Sequence, residues 1–171
     1  EAETILAPMA ASDKSIAPVA AQYLAAVRLE GGGDVAGAIR ALEEVAGTDG
    51  PTEKLALIKL AYLKADTTSR ADLETLMGDL RDEESSFGAL ALELLAAEAA
   101  AEGDIAYARQ TYNELRFLAN VPPGVLRRAE IAVAALPVTA EAEPDAPDAT
   151  TETTTEDAAP TPSLTDEETA Q

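Results

Sequence analysis

A repeat constrains this chain more than any other feature of its sequence. Gly33-Asp34-Val35-Ala36 returns 70 residues later as Gly103-Asp104-Ile105-Ala106, and Thr68-Ser69-Arg70-Ala71 lies midway, with a capping side chain and the alanine kept and the glycine lost. Carried onward, a 35-residue frame aligns Ala38 with Leu73 and Ala108, Leu42 with Met77 and Tyr112, and Val45 with Leu80 and Leu115. Upstream, Leu24-Ala25, Leu60-Ala61 and Leu95-Ala96 recur at offsets of 36 and 35. A unit that size holds two short helices and a turn, and it cannot bury its apolar face without a neighbouring copy.

Local signals agree that the units are helical. Apolar residues recur at intervals of three and four, as in Ala20, Tyr23 and Val27, and then Val35, Ile39, Leu42 and Val45. No alternating β-branched run occurs within residues 1–136, and Asp49-Gly50 joins helical patterns rather than strands. Breaks fall at Gly31-Gly32-Gly33, Asp49-Gly50-Pro51, Thr67-Thr68-Ser69, Glu84-Ser85-Ser86, Gly103 and Pro122-Pro123-Gly124. The spacing predicts helices near 1–11, 16–30, 35–47, 52–65, 70–82, 87–102, 105–119 and 124–136. Asp34, Thr52, Ser69, Ser86 and Asp104 are the expected N-caps, each preceding a periodic apolar stretch.

The expected fold class is therefore all-α, a tetratricopeptide-like stack of antiparallel helix hairpins (about 16–47, 52–82 and 87–119) closed by a C-terminal capping helix at about 124–136. Alanine supplies 38 of the 80 hydrophobic residues. Its small side chain permits close helix approach and its helix propensity is the highest, so local preference and packing agree. An alanine-rich bundle without a continuous groove is the other arrangement open to the same helices.

Charge divides the chain into two domains. Residues 137–171 hold ten acids, no base and five prolines, with only Val138 and Leu164 as large apolar residues. Such a segment cannot bury enough surface to offset roughly 1–2 kcal/mol per residue of backbone ordering, and we expect it to be a disordered acidic tail. Residues 1–136, the expected repeat domain, then hold 22 acids and 12 bases, half of the net charge of −20.

Composition excludes much chemistry. Without Cys or His there is no disulfide, zinc finger, thiol nucleophile, histidine base or iron–sulfur site. The acidic balance argues against a nucleic-acid partner. We expect a non-enzymatic protein with no cofactor and no metal. Asp79, Asp82, Glu83 and Glu84 form an acidic cluster without the spacing of a calcium loop, and read as a solvated helix end. Gly31-Gly32-Gly33 lacks the lysine and the preceding strand of a phosphate loop. Arg127-Arg128, the sole basic doublet, reads as a solvated face.

In tetratricopeptide hairpins the first helix of each pair lines a concave groove. Mapped onto this frame, the groove takes Ala20, Tyr23 and Val27 from the first hairpin, Leu55, Ile58 and Tyr62 from the second, and Leu90, Glu93 and Ala97 from the third. That surface is apolar and nearly free of cations, which suits a hydrophobic or amphipathic protein segment. Ordinary inter-helix packing of Tyr23 and Tyr62 is the competing reading.

Three segments carry a family resemblance. LALIKLAYLKA (Leu55 to Ala65), SFGALALELLAAEAAAEGDIAYA (Ser86 to Ala108) and PPGVLRRAEIAVAAL (Pro122 to Leu136) follow the order of motifs in the tetratricopeptide-like domain of bacterial membrane-anchored proteins related to the ancillary subunit of the SecYEG translocon. Phe87, Leu90, Leu92, Gly103-Asp104 and Arg127-Arg128 fall on the pattern of the alphaproteobacterial members, and the stretch that resembles them runs from about Ala20 to Leu136. The resemblance implies a location on the periplasmic side of the bacterial inner membrane. It also implies an adaptor role, with translocon components, periplasmic chaperones and client proteins as partners, and an N-terminal membrane anchor. Within the chain no run of 18 or more apolar residues exists to span a bilayer, so such an anchor would precede Glu1. Nor do residues 1–20 read as a signal peptide. The acidic tail is not part of the resemblance. A structural accessory subunit of a larger membrane-associated complex is the alternative role.

Overall fold

Short polar side chains start four of the helices. Asp34 accepts the Gly37 N–H at 2.8 Å, Ser69 that of Asp72 at 3.2 Å, and Asp104 that of Tyr107 at 3.2 Å, while the Ser85 Oγ takes those of Phe87 and Gly88. Each satisfies donors that a helix start leaves open. Two expected caps are corrected. Thr52 lies inside the first turn, because Pro51, which has no N–H to satisfy, occupies the first helical position after an extended Gly50. The cap before residue 86 is Ser85, the residue with extended backbone, and Ser86 is already helical.

The computed structural model describes residues 1–12 and 14–137. It is all-α, with helices α1 (Ala2–Ala10), α2 (Ala17–Gly32), α3 (Val35–Glu43), α4 (Pro51–Lys64), α5 (Arg70–Met77), α6 (Ser86–Glu102), α7 (Ile105–Glu114) and α8 (Pro123–Ala135). Short 3-10 turns extend α4 over Ala65–Thr67 and follow α5 over Gly78–Asp82. The assignment of a disordered tail concerns residues outside the described ones from 138 onward. Its first residue, Pro137, is described, and its carbonyl accepts from Arg109.

Helix ends depart from expectation in a regular way. α2 runs through Gly31 and Gly32 and stops only at Gly33, whose left-handed backbone (φ 67°) turns its own N–H and that of Asp34 back onto the Leu29 and Arg28 carbonyls. Gly103 ends α6 in the same conformation. The second helix of each pair is shorter than predicted. α5 breaks at Gly78, where φ is +51°, and α3 and α7 stop before residues 47 and 119. The first helices α2, α4 and α6 have 16, 14 and 17 residues, the second helices α3, α5 and α7 only 9, 8 and 10. Each long helix therefore outreaches its partner.

Burial follows the 35-residue frame. Ala38, Leu73 and Ala108 are buried, as are Leu42, Met77 and Tyr112, the three Leu-Ala pairs of the first helices, and Leu80 and Leu115; Val45 alone is half-buried. The core forms four linked clusters along the chain. Ala10, Ala21, Leu24 and Ala41 join α1, α2 and α3. Ala25, Ala38, Leu42, Ala56 and Leu60 join α2, α3 and α4. Leu57, Ile58, Leu73, Met77, Leu80 and Leu95 join α4, α5, the turn after it and α6. Ala96, Ala108, Tyr112, Leu115, Val125 and Ala129 join α6, α7 and α8. Each cluster joins elements that are near neighbours along the chain, as in a stack of hairpins.

One backbone approach is close enough to require glycine. A Cβ on Gly88 would lie 2.0 Å from the Glu83 carbonyl oxygen and 3.0 Å from that of Leu80. Gly88→Ala is expected to lower unfolding free energy by about 1–3 kcal/mol in urea titrations. Gly31→Ala, where a Cβ meets nothing within 4 Å, is expected to raise it by roughly 0.5–1 kcal/mol in the same assay.

Candidate functional site

α4 connects two clefts. Leu55, Lys59 and Tyr62 stand at i, i+4 and i+7, so they share one face of this helix. Leu55 and Lys59 open onto a cleft of about 350 Å³ against α2, where Val19, Gln22, Tyr23 and Ala26 line it. Tyr62 opens onto a cleft of about 380 Å³ lined by Glu93 and Ala97 of α6, Tyr112 of α7, and Arg128, Ile131 and Ala132 of α8. Apolar surface dominates both.

Five of the residues expected in a groove lie here, namely Tyr23, Leu55, Tyr62, Glu93 and Ala97. Tyr23 is 62% exposed and Tyr62 44%, so neither is a packed core residue. Four expected residues are corrected. Ile58 is 3% exposed and belongs to the core between α4, α5 and α6, because the turn of about 100° per residue sets it at the buried edge of the face that Lys59 shares with Leu55 and Tyr62. Val27 and Leu90 are half-buried and line neither cleft, and Leu90 packs against the two core clusters that contain α6. Ala20, mapped to the same groove, is buried at 2% exposure.

The expectation of a nearly cation-free face is also corrected, because Lys59 and Arg128 are both on it. Arg128 is exposed, as expected, but it is also paired. Its Nε and Nη2 donate to the two Glu93 oxygens at 2.6 and 2.7 Å, a bidentate pair joining α8 to α6 across 35 residues. Glu93 is 7% exposed, so this partner compensates a carboxylate that would otherwise be buried alone. On α2 the buried Gln22 donates from Nε2 to the Thr52 carbonyl at 3.1 Å, and its Oε1 accepts from Lys59 Nζ at 2.9 Å. The sequence signals for these residues were present but weak. Glu93 and Arg128 are one frame length apart, and Lys59 is at the spacing of a helix face from Leu55 and Tyr62.

Burial and the Glu93 charge act in the same direction on the two tyrosines of the second cleft. Burial raises the Tyr62 pKa above its ordinary value, the Glu93 charge adds to this, and Arg128 opposes it. Burial and Glu93 likewise raise that of Tyr112. A phenol whose folded pKa is raised contributes stability that is present below the unfolded value near 10 and is lost as pH rises through the folded one. The face therefore offers apolar clefts, neutral hydroxyls, one compensated ion pair and one lysine.

Elsewhere the charged residues hold the stack together. Lys54 pairs with Glu83, whose pKa this hydrogen bond lowers, and Asp82 lies 3.6 Å from Arg81, so two members of the acidic cluster are paired. Among the described residues no group of three or more acidic side chains is placed to hold a metal ion. Arg70 lies over the Tyr107 ring at 4.3 Å and bridges Glu102 and Asp104, linking the start of α5 to the junction of α6 and α7.

The fold and this face define an all-α protein of stacked helix pairs with an exposed apolar strip along its longer helices. The chain matches no protein-family model, no curated protein and no solved structure. Among the described residues no helix is long and apolar enough to cross a membrane.

Arg128→Ala is expected to cost about 1–3 kcal/mol in urea unfolding, because Glu93 loses its partner, and the double change Glu93→Leu with Arg128→Met to restore most of it. Losing the Arg128 charge should also shift phenolate formation by Tyr62 to higher pH, read by ultraviolet difference titration of the folded variant.

Proposed function

We propose that this chain is a non-enzymatic protein-interaction module that receives polypeptide segments on the face formed by α2, α4, α6 and α8. One observation supports this most directly. Val19, Tyr23, Leu55, Tyr62 and Ile131, five of the ten large hydrophobic residues exposed among the described residues, line its two clefts. Apolar surface gathered on one face is stabilised by being covered, and an amphipathic segment laid between helices covers it. We read the repeat register as tetratricopeptide-like, with this face as its concave side.

Together with the resemblance to the ancillary subunit of the SecYEG translocon, this suggests an adaptor on the periplasmic side of the bacterial inner membrane. Its partners would be translocon components, periplasmic chaperones or client segments, and it would have no chemistry of its own.

A photo-crosslinking residue placed at Ala26 or Ala97, both exposed in the clefts, tests the proposal, with Val35 as an exposed control away from them. In the native bacterium the cleft positions are expected to capture translocon subunits, periplasmic chaperones or exported clients, and position 35 not to. Equal yields at all three positions would remove the face from consideration. Recovery of cytoplasmic proteins alone would overturn the location.

A further inference from the structure

On the reading of this face as a receiver of polypeptide, we infer that Lys59 selects its ligand, an amphipathic helix from a partner protein carrying an Asp or Glu between two large apolar residues. Lys59 is the one cation lining either cleft that has no carboxylate within 4 Å among the described residues, since Arg128 is matched by Glu93. Its single hydrogen-bond partner there is a neutral amide oxygen. Of the ten remaining cations, five (Arg28, Lys54, Lys64, Arg70 and Arg81) are paired with a carboxylate among the described residues, in a domain where 22 acids face 12 bases. The residues lining the two clefts therefore carry a net positive charge of one, from Lys59.

The ammonium is also positioned. Gln22 is 8% exposed, and its Nε2 is committed to the Thr52 carbonyl, which leaves Oε1 as the atom presented to Lys59. A lysine can only donate, so this orientation of the amide is the one that satisfies both contacts. Nζ is thus held at the cleft beside Tyr23 and Leu55, with donor capacity remaining for an incoming carboxylate.

Spacing defines the rest of the ligand. Leu55 and Tyr62 are seven residues apart on α4, about 10 Å along its axis, with Lys59 between them. A helix lying along α4 meets this pattern with apolar residues at i and i+7 and an acid at i+3 or i+4. The acid would answer Lys59, while the apolar residues enter the α2–α4 cleft and the cleft of Tyr62 and Ile131.

The test uses the full chain and three alanine-rich helical peptides, acetylated and amidated so that no terminal carboxylate competes. Each has leucines at i and i+7, and the residue at i+4 is Glu, Gln or Lys. Dissociation constants are read from chemical-shift changes in the protein's NMR spectrum. The wild type is expected to bind the Glu peptide about three-fold or more tightly than the Gln peptide and to bind the Lys peptide most weakly. Lys59→Glu, at an exposed site, is expected to reverse that order. Equal affinities for all three peptides, or an order unchanged by Lys59→Glu, would overturn the selection. Should Tyr23→Ala with Tyr62→Ala still weaken all three peptides, the apolar face would survive as a receiver without charge preference. Absence of shifts with every peptide would remove both.

Discussion

Alanine-mediated contact between successive helices is the constraint on which the rest of this structure depends. Ala21, Ala38, Ala56, Ala61, Ala89, Ala96, Ala99, Ala108 and Ala129 are fully enclosed and recur in all four core clusters. Side chains this small fill space only when the helix axes come close, and they let each helix meet its near neighbours rather than a common centre. Stability then builds up interface by interface. Charged side chains follow the same plan: Arg28 to Glu3 joins α2 to α1, Lys64 to Glu43 joins α4 to α3, and Arg109 donates to the Val133 and Leu136 carbonyls at the end of α8. Exposed pairs contribute at most about 1 kcal/mol each, so their main effect is on register and not on total stability.

The apolar face follows from the same packing. α2, α4 and α6 are longer than their hairpin partners, and each contacts the next, as α6 does α8. Where these helices run beside one another with small residues between them, the larger side chains of the outward face have no neighbour to cover them. Tyr23, Leu55, Tyr62 and Ile131 remain exposed for that reason. The Glu93–Arg128 pair spans the last junction and places a buried carboxylate in the lining of the Tyr62 cleft, where its charge adds to burial, the larger cause, in raising the pKa values of both nearby tyrosines.

Some of this could be read from spacing and some could not. The frame that aligned Ala38, Leu73 and Ala108 picked out buried positions because helix periodicity and burial are both local to a unit. Asp34, Ser69 and Asp104 were readable as caps because a cap acts on donors two or three residues away. The groove was harder. Leu55 and Tyr62 line the clefts, whereas Ile58 is buried and Lys59, one position further along, lines the cleft instead. Apolar character alone cannot separate a core face from an exposed apolar face, and Ile58 suits either. Arg128 is exposed, as its spacing suggests, but its pairing with Glu93 could not be read, because that partner is 35 residues away and on another helix. Gln22 carried no signal at all, since a glutamine on a helix is ordinarily solvated.

The sequence by itself determined the helical class, the capping side chains Asp34, Ser69 and Asp104, and the absence of cysteine and histidine chemistry. These are properties of composition and of interactions within a few residues. Only the tertiary structure decided which side of each long helix is covered, which carboxylate receives Arg128, and that Lys59 stands at an apolar cleft with only a neutral amide for company. Those outcomes depend on how helices distant in sequence rotate and approach each other, and a rotation of 100° exchanges a core residue for a surface one.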